Sequence, residues 1–410
     1  MKFRLGLRQF RKNWLLNWFI IIQMTIVFVI AIVACSIVTY NMKFYNAFSE
    51  YLTKDGMLVI AQDVVDENNY LYQDSKQFAE EIGNVNVLSC YNPWLELDEF
   101  GRNVYFTAYD SKCIGKYKPE MKTGQWLSEQ PGDGSVIPVV VSCNTQGVKV
   151  GDVLVASTAE DCQISLQIVG ILQENSKVFG HVTGHFVDTS DYRNMYYDFN
   201  EEDEENIVVL MNQSDVLAAQ KYLKDESLVS TMGDVVLVKF DEGITEEMKG
   251  TLERQIGKST INAVISYPMQ EISDNSRNYI MQKMLMLIPV FLAAFILVII
   301  TSICVNSISV RKHLKDYAIY NICGMAWKDC LGINMVNTGL VVIISAVLTI
   351  GIALCFISGK VIMETTITLG VTEWFTCILV GVVQLLLSML IPQYMIKRQS
   401  TKQVLIKNVD

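Results

Sequence analysis

Four stretches of this sequence contain no aspartate, glutamate, lysine or arginine for 23 residues or more, and they constrain the fold more than any other feature. They are Asn13–Met42, Met284–Val310, Cys330–Gly359 and Trp374–Ile396. A helix that crosses the hydrocarbon core of a bilayer needs about 20 apolar residues. Buried core helices of a soluble protein are the alternative, but four such runs in one chain favour a membrane protein. We therefore predict transmembrane helices at 13–42, 284–310, 330–359 and 374–396.

Basic residues flank these stretches on one side of the predicted membrane. Residues 1–12 carry five basic residues and no acidic one, loop 311–329 carries four basic and two acidic residues, and tail 397–410 carries four basic residues and one acidic residue. Lysine and arginine near the ends of spans mark the cytoplasmic side. We therefore predict that both termini and loop 311–329 are cytoplasmic and that residues 43–280 are extracytoplasmic.

The N-terminal apolar run is predicted to be an uncleaved first span. It is much longer than the roughly 7–15 apolar residues of a signal peptide, and no small-residue cleavage motif follows it. Just before and at its start, Phe3, Leu7, Phe10 and Trp14 recur at helical spacing among basic residues. This pattern predicts that residues 1–12 form an amphipathic helix on the inner membrane surface.

The predicted outer segment is strongly acidic. Residues 41–280 contain 38 acidic and 18 basic residues, which gives a net charge of −20, whereas the whole chain has −10. Such a surface disfavours nucleic acid as a partner. We interpret the charge as a means of keeping the domain soluble, with attraction of cationic ligands as the alternative.

Residues 43–280 alternate between strand and helix patterns. Helical spacing predicts helices at Ser75–Ile82, Ser214–Leu223 and Thr245–Ile256. The two ends of the segment have a βαβ-type pattern, whereas the middle, roughly 91–205, is richer in strands. We therefore predict an α+β membrane protein whose large outer α/β domain contains an inserted β subdomain. The nine predicted strands are Met57–Ala61, Asn86–Cys90, Val104–Tyr109, Val136–Ser142, Val153–Ala156, Ile164–Leu172, Ile207–Met211, Asp234–Phe240 and Ile261–Tyr267.

No catalytic constellation is found in this segment. His181 and His185 have the spacing that holds a metal on a helix, but the glycines around them favour a loop. The stretch Gly257–Thr260 resembles the end of a phosphate-binding loop, but Leu252 stands where the motif requires glycine. We therefore predict that the chain is not an enzyme and binds no metal or cofactor. The sequence leaves two alternatives for the predicted outer cysteines: they form two disulfides, or they are buried thiols. These cysteines are Cys90, Cys113, Cys143 and Cys162.

The loop after the second span carries a family resemblance. Residues 309–329 read SVRKHLKDYAIYNICGMAWKD, which is a basic pair, an acid, an apolar helix, a glycine break and a polar restart. This order resembles the signature of FtsX-like ABC-transporter permeases, although Asn321 and Met325 stand where the family often has arginine and alanine. Physically, the pattern predicts a short amphipathic helix ended by a C-cap glycine, with Asp329 or Asp316 available to basic partners.

Two further segments extend the resemblance over nearly the whole chain. Residues 124–128, 139–142, 147–152 and 168–172 follow one another as in the MacB-type periplasmic core domain. The tail, with Pro392, Arg398 and Leu405, resembles the usual end of the family, but it lacks the proline found near the position of Thr401.

The resemblance implies the permease subunit of a MacB-type ABC transporter in a bacterial inner membrane. Its implied partners are a separate cytoplasmic ATPase subunit that binds ATP, a second permease, which is a copy or a paralogue, the lipid bilayer, and an extracytoplasmic adaptor. The implied substrate is amphipathic, such as a peptide, an antibiotic or a lipid-like molecule. The alternative is a non-transporting regulator that activates an extracytoplasmic partner such as a cell-wall hydrolase. The residues implied to contact the ATPase are Arg311, Lys312, Lys315, Asp316, Ile319, Gly324 and Lys328.

The uncharged spans favour mechanical transmission over a hydrophilic pore. Ionisable residues inside spans usually mark ion or substrate pathways, and none interrupts the four predicted spans. The first span can continue through Phe44 and Phe48, and the second can begin early, through Ser276–Gln282, with Pro289 as a possible kink. We predict that these two extensions form a rigid stalk.

Overall fold

The computed structural model divides the chain into two compact units, Met1–Met42 with Ile280–Asp410, and Lys43–Tyr279. It describes residues 2–62, 84–93, 95–97, 104–143, 147–158, 160–174, 176–180, 191–197, 207–229, 231–241, 243, 245–259, 264–359, 361–362 and 365–397. We refer to the first unit as the helical unit and to the second as the sheet domain.

Nine α-helices are described in these ranges. They are α1 (Lys2–Lys12), α2 (Trp14–Ala47), α3 (Ser111–Lys116), α4 (Gln213–Leu223), α5 (Glu246–Ser259), α6 (Met269–Ile322), α7 (Trp327–Ile352), α8 (Val371–Ser388) and α9 (Leu390–Lys397). A single π-helical turn, Ala353–Ile357, follows α7.

In the part of the chain that the structure describes, four helical stretches are long and apolar enough to cross a membrane. They are Trp14–Ala47, Met269–Lys312, Asp329–Ile357 and Val371–Met395. The prediction of four membrane helices, one before and three after a large domain, is therefore confirmed. The first helix does continue to Ala47, and α6 does begin at Met269, as the predicted extensions require.

The helix predicted after the second span is present, but it is the end of a longer helix and not a short element. Helix α6 is continuous for 54 residues and ends at Ile322. The reason lies in the sequence between Val310 and Ile322, which contains neither glycine nor proline and so has nothing to end the helix where the charges begin.

The strands are β1 (Gly56–Gln62), β2 (Val85–Pro93), β3 (Leu95–Glu96), β4 (Val104–Tyr109), β5 (Met121–Gly124), β6 (Val136–Val141), β7 (Val153–Thr158), β8 (Gln163–Leu172), β9 (Val178–Phe179), β10 (Tyr196–Tyr197), β11 (Ile207–Asn212), β12 (Thr231–Phe240), β13 (Val264–Pro268), β14 (Val361–Ile362) and β15 (Thr365–Thr366). Of the predicted elements, helix Ser75–Ile82 and residues 261–263 lie outside the described residues. The remaining predicted strands and helices all have a counterpart, displaced by a few residues at most.

Eleven strands form one sheet in the order β13-β1-β12-β2-β4-β11-β6-β8-β7-β3, with β5 also paired to β8. The pairs β4–β11 and β6–β8 are parallel, and the others are antiparallel. A parallel pair needs a crossover connection, and the chain between β4 and β11 contains the strands β5 to β10.

Two hydrophobic cores among the described residues of the sheet domain agree with an inserted subdomain. One core joins β1, β2 and β12 to α5, where Leu252 is fully buried and Met248 packs against it. The other core packs α4 against β4, β11 and the strands of the middle segment, through residues such as Ile137 and Val216. The inserted strands therefore carry a core of their own while extending the same sheet.

The open questions about the chemistry of this domain are partly answered. None of the four cysteines of the sheet domain forms a disulfide among the described residues, and burial raises the pKa of the Cys113 thiol. His181 and His185 lie outside the described residues, so the prediction that they bind no metal stays a prediction. Residues 257–259 lie in α5, which differs from the loop that cradles a phosphate.

Candidate functional site

The predicted ATPase-contacting residues occupy the last three turns of α6 and the turn that follows. One face of this segment is buried. Tyr317 is almost fully buried and packs with Val310, Leu314, Cys330 and Ile333 in one apolar cluster. Burial raises the pKa of the Tyr317 phenol. The segment is therefore packed against the rest of the helical unit on this face.

The other face of the same turns is exposed and has a mixed character. Arg311, Lys312 and Lys315 are exposed near the end of the span. One and two turns further on, Ile319 is 46% exposed and Ile322 is 64% exposed. Cations followed by large apolar side chains on one helix face are typical of a surface that binds another protein.

Helix α6 ends in a glycine turn, as predicted. Gly324 has a φ of +93°, a conformation that side-chain-bearing residues adopt only with strain. The Met325 amide donates to the Tyr320 carbonyl at 2.9 Å and the Gly324 amide to the Asn321 carbonyl at 3.0 Å. This pair of hydrogen bonds is the Schellman arrangement, and it reverses the chain into α7, whose first turn contains Lys328.

The two acids of the segment already have partners in this chain. Asp316 Oδ2 lies 3.0 Å from Nδ1 of the mostly buried His313. Asp329 Oδ1 lies 2.5 Å from Lys2 Nζ at the start of α1. Each of the two acids therefore has a partner within the helical unit.

Helix α1 is a helix as predicted, but it packs on the protein as well as exposing a polar side. Its contact with α7 depends on Gly6, because a Cβ built there would lie 2.6 Å from Val336 Cγ1 and 3.1 Å from the Ile333 carbonyl oxygen. A contact with a backbone oxygen cannot relax by side-chain rotation. The missing side chain at Gly6 is thus what lets α1 approach α7.

We expect Gly6→Ala to destabilise the helical unit by about 1–3 kcal/mol, because overpacking forces the two helices apart. The matched control is Gly332→Ala on α7, where a new Cβ would meet only the flexible Lys2 side chain at 3.6 Å. Alanine raises helix propensity by about 1 kcal/mol over glycine, so the control should be neutral or stabilising. Thermal unfolding in detergent measures both, and equal melting temperatures would contradict the proposed contact.

A series of buried amides joins α1 and α2 to the other helices. Gln9 Nε2 donates to Ser309 Oγ at 2.8 Å, and Asn13 Nδ2 donates to the same oxygen at 2.9 Å. Asn17 Nδ2 donates to Asn337 Oδ1 at 3.1 Å. The sequence search for charges missed these residues, although their spacing of four at the start of an uncharged run was a usable signal.

One buried carboxylate was also missed. Glu373 is 1% exposed in the first turn of α8. Its oxygens accept hydrogen bonds from Thr39 Oγ1 at 2.7 Å, the Gly370 amide at 2.9 Å and Thr372 Oγ1 at 3.0 Å. A carboxylate at a helix N-terminus is also favoured by the helix dipole. Glu373 therefore ties α2 to the start of α8.

Within the sheet domain, the residues at the end of α2 pack into a cluster of aromatic rings. The ring centroids of Phe48 and Phe179 are 4.2 Å apart, and those of Phe44 and Tyr196 are 4.9 Å apart. The Tyr196 hydroxyl donates to the Phe44 carbonyl at 3.0 Å, and burial raises the pKa of this phenol. The sheet domain thus holds the end of α2 by packing and by a hydrogen bond.

The start of α6 is held in the same domain. Ser276 Oγ accepts a hydrogen bond from the Tyr192 amide at 2.9 Å. The hydroxyls of Tyr45 and Ser273 lie 3.1 Å apart, which links the ends of α2 and α6 directly. Both helix extensions proposed as a stalk are therefore fixed to the sheet domain by specific side chains.

Comparisons with known proteins give structural similarity only. No protein-family model and no curated protein matches this chain. The extracellular domain of the noncanonic ABC-type transporter YknZ from Gram-positive bacteria is similar at 10% identity and a TM-score of 0.29, covering 52% of this chain and 99% of that one. The periplasmic region of MacB from Actinobacillus actinomycetemcomitans is similar at 12% identity and a TM-score of 0.30, covering 55% and 93%.

Proposed function

We propose that this chain is the permease subunit of an ABC transporter. A separate cytoplasmic ATPase subunit hydrolyses ATP, and the chain passes the resulting movement to its extracytoplasmic domain. The substrate is an amphipathic molecule, such as a peptide, an antibiotic or a lipid-like molecule, and a second permease completes the transporter. The observation that carries the proposal is the exposed basic and apolar face at the end of α6.

The continuity of α6 supports mechanical coupling. The helix begins directly after strand β13 and ends at the glycine turn, without interruption over 54 residues. A continuous helix passes a push along its axis, whereas a flexible linker does not. An ATPase bound at the exposed face therefore acts on an element that also belongs to the sheet domain.

The composition of the spans supports movement over conduction. Their buried polar groups are mostly neutral amides and hydroxyls, such as Asn17 and Asn337. The carboxylate of Glu373, in the first turn of α8, accepts three hydrogen bonds. Groups that are held in this way stabilise helix packing and offer little to a hydrated pathway.

Reversing the charges of the exposed face tests the proposal. We expect Arg311→Glu with Lys312→Glu to weaken binding of the ATPase subunit about tenfold, because charges at an interface steer association and fix its orientation. The measurement is ATP hydrolysis and the ATPase subunit recovered when the tagged chain is purified from native membranes.

The matched control is Lys118→Glu with Lys221→Glu, which makes the same change of charge at exposed lysines of the sheet domain. This control should recover the ATPase in full. Undiminished recovery with the Arg311 and Lys312 variant would remove the end of α6 as the coupling site.

A further inference from the structure

A small cavity lies beside the proposed coupling face, inside the helical unit. Its volume is about 150 Å³, and α1, the last turns of α6 and α7 form its walls. The lining combines long basic side chains at the opening with a polar and aromatic interior. The residues that matter for its chemistry are Arg8, Lys12, His313, Asp316 and Tyr317.

The arginine and the lysine of this cavity have no counter-ion among the described residues. Arg8 and Lys12 are exposed, and the structure gives neither of them an ion pair within the described ranges. His313 is only 7% exposed, and its Nε2 has no hydrogen-bond partner in the part of the chain that the structure describes. An unpartnered buried nitrogen costs free energy unless a ligand or a water satisfies it.

The other polar groups of the cavity are already satisfied and fix its shape. The Tyr317 hydroxyl donates to Gln9 Oε1 at 3.2 Å, and Gln9 Nε2 donates to Ser309. Asp316 is the one acid among the described residues of the lining, and its carboxylate is 3.0 Å from His313 Nδ1. With Asp316 so engaged, the cations of Arg8 and Lys12 determine which ligand the opening favours, and that ligand is an anion.

The surroundings of the cavity indicate where the anion comes from. On α1, Arg4 and Arg11 continue the basic stripe of Arg8 and Lys12, and the exposed side chains of Phe3 and Leu7 form an apolar stripe beside it. A helix with adjacent basic and apolar stripes lies in the headgroup region of a bilayer. Basic pockets between helices at this depth are suited to the phosphate of an anionic lipid.

We propose that this cavity binds the phosphate group of an anionic phospholipid, held by Arg8 and Lys12 with His313 beneath it. The same chemistry would accept a soluble phosphate, so the experiment separates the two sources. A bound phosphate joins α1 to the last turns of α6, and so it stiffens the segment that carries the proposed coupling face. Binding itself does not depend on the proposed transport function.

The experiment uses the full-length chain in a neutral detergent and titrates it with three probes. These are phosphatidylglycerol, zwitterionic phosphatidylcholine and inorganic phosphate, with the melting temperature as the readout. We expect phosphatidylglycerol to raise the melting temperature and phosphatidylcholine to have little effect, because its choline cation opposes Arg8 and Lys12. An equal response to inorganic phosphate supports the site and identifies a soluble ligand as its source.

The decisive comparison is between two variants of one helix. Arg8→Gln with Lys12→Gln should weaken phosphatidylglycerol binding about thirtyfold, since each basic group near a membrane surface contributes about a factor of five. Arg4→Gln with Arg11→Gln removes the same charge but leaves the cavity lining intact, and it should keep most of the affinity. Equal losses in both variants would mean diffuse attraction to the basic stripe and would overturn the site, as would equal stabilisation by phosphatidylcholine.

These outcomes are independent of ATPase recruitment. If the cavity variant loses lipid binding while the ATPase still co-purifies, the lipid site stands whatever the transport role. If the wild-type chain binds phosphatidylglycerol but no ATPase is ever recovered, the transport proposal fails and the lipid site remains.

Discussion

Replacing Ile319 and Ile322 by aspartate is expected to abolish recovery of an ATPase subunit with this chain. The two side chains are exposed by 46% and 64%, so they contribute little to the fold and are available to a partner. Full burial of an isoleucine contributes about 1.5–3 kcal/mol. Losing two such contacts corresponds to an affinity at least about a hundredfold weaker. Two carboxylates that must be buried without partners weaken it further.

The design of this test separates binding from folding. Substitutions at exposed positions usually change the free energy of unfolding by no more than about 0.5 kcal/mol. Aspartate at the end of a helix is disfavoured by the helix dipole, and Ile319→Asn with Ile322→Asn removes that effect while keeping the loss of apolar contact. The asparagine variant should lose the ATPase as well and should melt like the wild type.

A control at the other end of the helical unit completes the experiment. Val371 is the first residue of α8 and is highly exposed, so Val371→Asp makes the same type of substitution away from the coupling face. This control should bring down the ATPase in full. If the Ile319 and Ile322 variants also retain it, the apolar half of the exposed face has no role in recruitment, and the coupling proposal loses its main support.

The sequence predicted the elements whose signals are local. An uncharged run of 23 residues or more is recognised from the sequence alone, and so is a strand such as β8, in which isoleucine and leucine alternate with mainly polar residues. The glycine that ends α6 was also readable, because only a few residues adopt its left-handed conformation. These features follow from the properties of single segments.

The features that the sequence missed depend on neighbours distant in the chain. The first charge after a span does not end a helix, so α6 passed through Arg311 to the glycine turn. Glu373 stands one residue before the predicted fourth span, and its burial arises from Thr39 on another helix. The cavity at His313 exists because Gly6 lets α1 approach α7. None of these has a periodic signature.

The aromatic cluster of the sheet domain provides the second large effect. Phe48 is 1% exposed, and its ring centroid lies 4.2 Å from Phe179 and 6.1 Å from Tyr196. Truncating a buried phenylalanine to alanine removes its apolar contacts and leaves a cavity, which costs about 3–5 kcal/mol. We therefore expect Phe48→Ala to lower the stability of the sheet domain by this amount, which is a large fraction of a typical domain's total.

Hydrogen exchange on the full-length chain measures this loss where it occurs. The amides of β11 and β12 should exchange faster in Phe48→Ala, since global opening of the domain becomes more frequent. Tyr222→Ala truncates an aromatic side chain that is 63% exposed in the same domain, and it should leave exchange unchanged. Phe48→Leu keeps part of the packing and should fall between the two.

The same variant separates the two roles proposed for the helix extensions. Phe48 belongs to the sheet domain, whereas Ile319 and Ile322 belong to the helical unit. Phe48→Ala should therefore leave ATPase recovery intact while loosening the end of α2 in the sheet domain. If the ATPase is retained but transport or its dependence on ATP is lost, the end of α2 transmits the movement. Full transport with a loosened cluster would show that α6 alone is sufficient.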